Sequence, residues 1–250
     1  MPEAESDPAF LLGVLGGMGP LATVDFLAKL VACTRADGDA DHVPFVAASI
    51  PQIPSRVGAI LRGTRSPLPA MLDARDRLLA SGATLLAMPC NTAHRWHDEL
   101  ASGIGIPFLH IADTALAGIE ASVPQRGAVG VIATEATQAI GLFSGRLERA
   151  GYRVLVPPRD DAAAVAAGIA LVKRGRAAEG GNHFAGVVTA LERAGAQAIV
   201  LGCTEVPPGL EAAGIRPGVP WIDPTDALAR ACALAWADLR RNSGKGSVLA

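Results

Sequence analysis

Lysine is scarce in this chain of 250 residues: Lys29, Lys173 and Lys245 are the whole set. A Schiff base to pyridoxal phosphate would therefore fall to Lys173, and no glycine-rich phosphate cup lies near it in sequence. Cysteine is equally sparse, four residues in all, too few for a disulfide framework in a chain of this length. Neither sign of charge dominates, with 22 Lys and Arg against 24 Asp and Glu and a net charge of −2. Nothing in that balance attracts nucleic acid or an anionic membrane over distance, so a small molecule is the expected partner. No apolar run reaches the roughly 18 residues of a membrane helix. The opening Met-Pro-Glu-Ala-Glu-Ser-Asp-Pro is acidic and lacks the basic start of a signal peptide. The expectation is a cytoplasmic protein with reduced thiols.

Half of the residues are hydrophobic, and they come as short strand-like runs separated by helix-length segments. That alternation predicts a parallel α/β fold. Strands are expected over 10–15, 43–50, 83–88, 108–111, 128–133, 153–156 and 198–201. Helices are expected over 21–34, 68–81, 92–102, 137–150, 161–174, 183–194 and 226–240. Pro20 suits the first turn of the first helix.

Two segments match across the chain. Ser81-Gly-Ala-Thr-Leu-Leu-Ala-Met-Pro-Cys90-Asn-Thr aligns with Ala194-Gly-Ala-Gln-Ala-Ile-Val-Leu-Gly-Cys203-Thr-Glu at an offset of 113 residues (203 − 90). Pro107 and Pro220 keep the same offset. A shared offset indicates a duplicated unit. It predicts two pseudo-symmetric α/β lobes, 9–115 and 116–224, with the site in the cleft between them. The helix 225–241 would pack back onto the first lobe, and 1–8 and 242–250 would be flexible tails. Cys90 and Cys203 each fall where a strand ends and a polar turn begins, the place where open parallel sheets build ligand crevices. Opposed thiols suit proton transfer on the two faces of one carbon. A following helix N-terminus would favour their thiolates over a free value of roughly 8.5. Cys33 and Cys232, inside predicted helices, read as packing residues.

Leu15-Gly-Gly-Met18-Gly-Pro-Leu-Ala-Thr23, Pro51-Gln52-Ile-Pro54 with Arg56, Met88-Pro-Cys-Asn-Thr-Ala-His94, Leu201-Gly-Cys-Thr-Glu205 and Ile222-Asp-Pro224 together resemble the aspartate/glutamate racemase family over nearly the whole chain. The resemblance implies a cofactor-independent enzyme that interconverts L- and D-aspartate, with glutamate as second choice, and that is commonly a homodimer. It implies catalytic thiols at Cys90 and Cys203. It also implies substrate contacts from Met18, Gln52, Arg56, Asn91, Thr92, Thr134, Lys173 and Thr204, with Arg56 and Lys173 as the anion-binding pair. Hydantoin racemases, maleate isomerases and decarboxylases of malonate derivatives share the two-thiol arrangement and stand as alternatives, as does a non-catalytic amino-acid-binding homologue.

Racemisation needs an acid and a base on opposite sides of Cα, and a thiol with a thiolate meets that need. Asn91, Thr92, Thr204 and the backbone N–H groups of the glycine turn are candidates to stabilise the carbanion. Gly17-Met-Gly19-Pro-Leu-Ala22 also fits a dinucleotide fingerprint, but the second strand ends in Ser49-Ile50 with no acid for a ribose. Cys90, His94 and His97 would share a helix face and, with Cys203, could hold a metal, although His94 belongs to the family motif without one. His42, His110 and His183 show no partner pattern. Three places depart from the family: Ser49-Ile50 with Ser55, the stretch from Pro157 to Ala164, and Glu135 between Thr134 and Thr137. These bear on which amino acid is chosen, not on the thiols.

Overall fold

The structure is a computed structural model and describes residues 10–246, with the side chains of 159–160 and 243–246 excepted. Strand β1 (Leu12–Gly16) is buried at every position, as a central parallel strand covered on both faces must be. Helix α1 (Pro20–Cys33) follows, with Pro20 at its first position. Then come the edge strand β2 (Phe45–Ser49), the short helix α2 (Arg56–Arg62), α3 (Leu68–Ala80) and β3 (Leu85–Ala87). A 3₁₀ turn over Thr92–Trp96 leads to α4 (His97–Ala101) and then α5 (Ile111–Ser122).

The second half runs β4 (Ala128–Ala133), α6 (Glu135–Ala139), α7 (Ser144–Arg149) and β5 (Arg153–Leu155). It continues through α8 (Arg159–Lys173), α9 (Ala177–Arg193), β6 (Ala198–Gly202), α10 (Val206–Ala212), β7 (Trp221–Ile222) and α11 (Pro224–Gly246). The two sheets have orders β2-β1-β3 and β5-β4-β6-β7, and every pairing is parallel. An isolated parallel bridge from Leu86 to Phe108 occupies, beside β3, the place that β7 takes beside β6. The order of strands is thus the same in both halves, as a duplicated unit requires. The α/β class and its parallel sheets are as expected.

Several elements differ from expectation. The strand over 108–111 shrinks to that single bridge, because His110 caps α5, which begins at Ile111. The helix over 92–102 is half 3₁₀. The helix over 137–150 is broken at Gly141, whose φ of +62° no helix interior accepts. At the far end α11 continues through Gly246, where a tail from 242 was expected; residues 1–8 and 247–250 lie outside the described residues.

Three cores hold the elements. One lies outside the first sheet, under α3 and α4, and includes Cys90. One lies outside the second sheet, under α8, α9 and α10, and includes Cys203. The third joins both sheets, from Leu12 and Val14 through Phe26, Ile111 and Leu228 to Val129, Val131 and Val200. Helix α11 closes over α1: Trp236 meets Phe10 with ring centroids 5.3 Å apart and donates Nε1–H to Asp41 O at 2.9 Å. Among the described residues no helix is long and apolar enough to cross a membrane.

Candidate active site

Both thiols line one cavity of about 80 Å³ at the C-terminal edges of the two sheets, together with Met18, Ser55, Arg56, Val57, Asn91, Thr92, Thr134, Lys173, Thr204 and Glu205. Local sequence explains how each arrives. Gly17 turns the chain at φ +84°, and a Cβ there would lie 2.1 Å from Ile50 N; only glycine permits that approach. Thr23 then fastens the turn, accepting from Gly17 N at 2.8 Å and donating to Gly19 O at 3.1 Å. Met18 is left facing the cavity, and the Gly17 N–H expected to serve a substrate is spent on Thr23. Ser55, a departure from the family pattern, caps α2 by accepting from Gly58 N at 3.0 Å and sets Arg56 at the first turn. Gln52 is exposed and does not line the cavity. Glu135 is also outside it.

The halves are joined at the site by hydroxyls. Thr92 Oγ1 lies 2.8 Å from Thr137 Oγ1 and 3.3 Å from Thr134 Oγ1, and Thr134 caps α6. Asn91 is 3% exposed, and neither its Oδ1 nor its Nδ2 has a partner. Buried amides are ordinarily paired; this one lines the cavity with both of its polar atoms uncommitted. Arg56 donates Nη1–H to Ile53 O at 3.0 Å and Pro54 O at 2.9 Å, which fixes the guanidinium while sparing its other donors.

Glu205 is the residue that sequence reasoning passed over. Its Oε2 accepts from Cys203 Sγ at 2.9 Å and from Thr204 Oγ1 at 3.0 Å, and its Oε1 lies 3.6 Å from Lys173 Nζ. The signal was available: the position matching Thr92 at the 113-residue offset carries an acid instead of a hydroxyl. The thiols consequently differ. Burial raises both above the ordinary cysteine value; for Cys90 the nearby Arg56 charge partly offsets it, whereas Glu205 pushes Cys203 well higher. The expected stabilisation of both thiolates by the following turn is present, through the backbone N–H groups of Ala93 and Glu205, but burial outweighs it. A 3₁₀ turn follows Cys90 and a seven-residue helix follows Cys203, too little dipole to counter full burial.

The metal reading meets a different geometry. His94 accepts from Ile111 N at 3.1 Å through Nε2 and contacts Cys90 O at 2.9 Å through Nδ1, so both ring nitrogens already serve the backbone. His110, for which no partner was foreseen, caps α5 at Ala112 N and touches Arg146 at 2.8 Å. With His97 the three rings form a cluster with centroids 4.6 to 5.5 Å apart. No group of three or more potential metal ligands occurs among the described residues. A larger cavity, about 500 Å³, lies by the end of α1 and α11 around Trp236 and contains neither Cys90 nor Cys203.

The cluster makes stability depend on pH. Burial, then Arg146 and His97, lower His110 to about 3, and burial holds His94 well below 6.5. Between about 3 and 6.5 the unfolded chain binds protons that the folded one refuses, so stability is full above 6.5 and falls as the pH falls through that window. Thermal melts from pH 7 to 4 are expected to show that decline, and His110→Asn, which retains a capping acceptor, to flatten it. A wild-type melting temperature constant across the range contradicts this.

With this geometry in view, comparison with known proteins is informative. A family model described as Asp/Glu/Hydantoin racemase matches residues 15–232. The chain belongs to that family. Its described structure is similar to that of the aspartate racemase of Picrophilus torridus, at a TM-score of 0.80 and 29% identity over 93% of this chain and 98% of that one. It also resembles, in fold, the glutamate racemase of Francisella tularensis solved with D-glutamate, at a TM-score of 0.63 and 18% identity over 95% and 82% of the two chains. In sequence it is 28% identical over 147 residues to the broad specificity amino-acid racemase RacX of Bacillus subtilis, covering 58% of this chain and 63% of that protein. The match thus spans less than two thirds of RacX. For this member of the racemase family, both cysteine segments fall inside the matched region.

Proposed function

We propose that the protein is an amino-acid racemase that needs no cofactor and acts on aspartate, with glutamate as second substrate. The observation that carries this reading is the convergence of Cys90 and Cys203 on one cavity that also holds Arg56 and Lys173. One thiolate removes the Cα proton and the opposite thiol returns another, and the roles exchange for the other enantiomer. Asn91 and the Thr92 hydroxyl hold the α-carboxylate, where charge develops as Cα loses its proton, while Thr134 and Thr204, whose protons go to Thr137 and Glu205, brace the groups around it. Arg56, fixed by two carbonyls, meets the distal carboxylate.

A second reading is favoured by one contact. Lys173 is 55% exposed and already faces Glu205 at 3.6 Å, so half of the cation pair is engaged. That supports a broader substrate range of the kind named for RacX.

The deciding assay follows Cα deuterium and enantiomer composition together, in D2O without added cofactor, for aspartate, glutamate and a panel of neutral amino acids. Aspartate is expected to turn over best. Arg56→Gln is expected to raise its KM about 10–100-fold, as loss of a charged hydrogen bond worth roughly 1.5–3 kcal/mol requires, and to leave the KM for alanine unchanged, with any loss of kcat common to both substrates because the Arg56 charge also favours the Cys90 thiolate. Equal turnover of neutral amino acids replaces this reading with the broad one. No turnover of any amino acid, with activity on hydantoins or maleate, moves the site to those chemistries, and binding without exchange makes it a receptor.

A further inference from the structure

The histidine cluster holds a buried titratable ring that the proton-transfer scheme does not use, and that ring touches the backbone of a proposed catalytic residue. His94 is 5% exposed, and both of its nitrogens are committed to main-chain atoms. Hydrogen-bond partners fix its tautomer. Ile111 N–H can only donate, so Nε2 carries the lone pair, and the single proton of the neutral ring sits on Nδ1, which donates to Cys90 O at 2.9 Å. Protonation would leave Ile111 N–H, the first amide of α5, facing another donor in a buried place. His110, His97 and Arg146 around the ring disfavour the cation as well.

We propose that His94 is a positioning residue for Cys90: as the Nδ1–H tautomer it ties the Cys90 carbonyl to the N-terminus of α5 and thereby fixes the peptide plane from which the thiol departs. This rests on the racemase reading for its kinetic consequence, not for its geometry. A planar peptide held at its carbonyl has its orientation set, and that orientation governs ψ of Cys90 and φ of Asn91, the two residues placed against the substrate. On the other side of Cys90 its own N–H bonds Met88 O at 2.8 Å. The backbone of the first thiol is thus held from both sides.

The second thiol has no such strut. The residue at the 113-residue offset from His94 is Pro207, which offers neither donor nor ring nitrogen; the Cys203 carbonyl accepts only from the local Val206 N–H at 3.0 Å, and its sulfur is held by Glu205. The two halves thus fix their thiols by different means, one through a side chain that ties the carbonyl to a distant helix and one through a local turn and a grip on the sulfur.

The two arms of the strut can be cut separately. Asn at 94 places an amide N–H where Nδ1–H stands and serves the Cys90 carbonyl alone; Gln places its oxygen near Nε2 and serves Ile111 alone. His94→Asn is expected to keep kcat within about 3-fold of wild type, whereas His94→Gln lowers it about 10–100-fold with KM changed by less than about 3-fold, the cost of a displaced catalytic group. Iodoacetamide should label Cys90 several-fold faster in His94→Gln than in wild type or His94→Asn, with the Cys203 rate unchanged. Rescue by Gln and not by Asn shows that only the cap of α5 matters and overturns the proposal. So does wild-type behaviour in both variants. In the wild-type protein, nitrogen-15 NMR is expected to find the His94 proton on Nδ1; a proton on Nε2 overturns the proposal even if neither variant folds. If wild type racemises no amino acid while Cys90 labelling follows the expected pattern, the positioning role stands and the racemase reading falls.

Discussion

Alanine at Cys90 or at Cys203 lowers net racemisation of aspartate by about 10²–10⁴-fold, the usual contribution of a positioned acid or base, and leaves a partial reaction behind. With one thiol gone, the other still removes the Cα proton from the enantiomer presented to it and returns deuterium from solvent to the same face. Each variant is therefore expected to exchange Cα hydrogen in one enantiomer without inverting it, and the two variants should choose opposite enantiomers. The shared cavity is what makes this specific, because thiols serving separate sites would produce no such reciprocal pattern. Mass and chirality are read in the same sample after incubation with L- or D-aspartate in D2O. Undiminished racemisation in either variant would remove the two-thiol mechanism.

Glu205→Gln has the next largest expected effect, about 10–100-fold on kcat. Its carboxylate accepts the Cys203 proton at 2.9 Å and, by its charge, raises Cys203 well above the ordinary cysteine value after burial has already done so. Cys203 is then the more weakly acidic of the two thiols and, once it has given up its proton, the stronger base. The amide preserves the shape and removes the charge, so the Cys203 thiolate forms at lower pH and abstracts a Cα proton less readily. Iodoacetamide labelling of Cys203 across pH should move to lower pH in the variant, with Cys90 moving the same way by less. Because the equilibrium constant of a racemisation is unity, kcat/KM must fall equally in both directions; unequal loss would point to a damaged protein or a contaminating activity. An unchanged labelling profile at Cys203 would show that Glu205 does not act on the thiol.

The reading of the chain from its residues succeeded where chemistry and repetition coincided. The offset that pairs Cys90 with Cys203 also pairs Leu85 in β3 with Ala198 in β6 and Phe108 in the isolated bridge with Trp221 in β7, so one comparison matched both thiols and the strands beside them, though not the order of those strands. It failed where tertiary contacts decide. The apolar run 108–111 has the composition of a strand, yet helix α5 claims Ile111 because His110 and His94 satisfy its first amides. Helix α2 is only seven residues long and follows two prolines, leaving no periodicity to read. Gln52 belongs to a recognisable Pro-Gln-Ile-Pro element but is exposed and does not line the cavity. Glu205 and His94 were visible as residues of motifs; that one grips a sulfur and the other a carbonyl is geometry that spacing does not encode.

The core common to both sheets has a dynamic consequence. Cys90 rests on one outer core and Cys203 on the other, but the layer between them, with Phe26, Ile111 and Leu228 at its centre, belongs to both sheets. Spreading the halves like a hinge would bring such side chains into water at about 1.5–3 kcal/mol each, a cost that substrate binding would have to offset. That cost opposes any change in the span between the sulfurs. Traffic to and from the cavity then falls to its rim, the short α2 bearing Arg56 and the last turn of α8 bearing Lys173. Turnover on this scaffold should follow the motion of those two edges and be insensitive to any rocking of the halves.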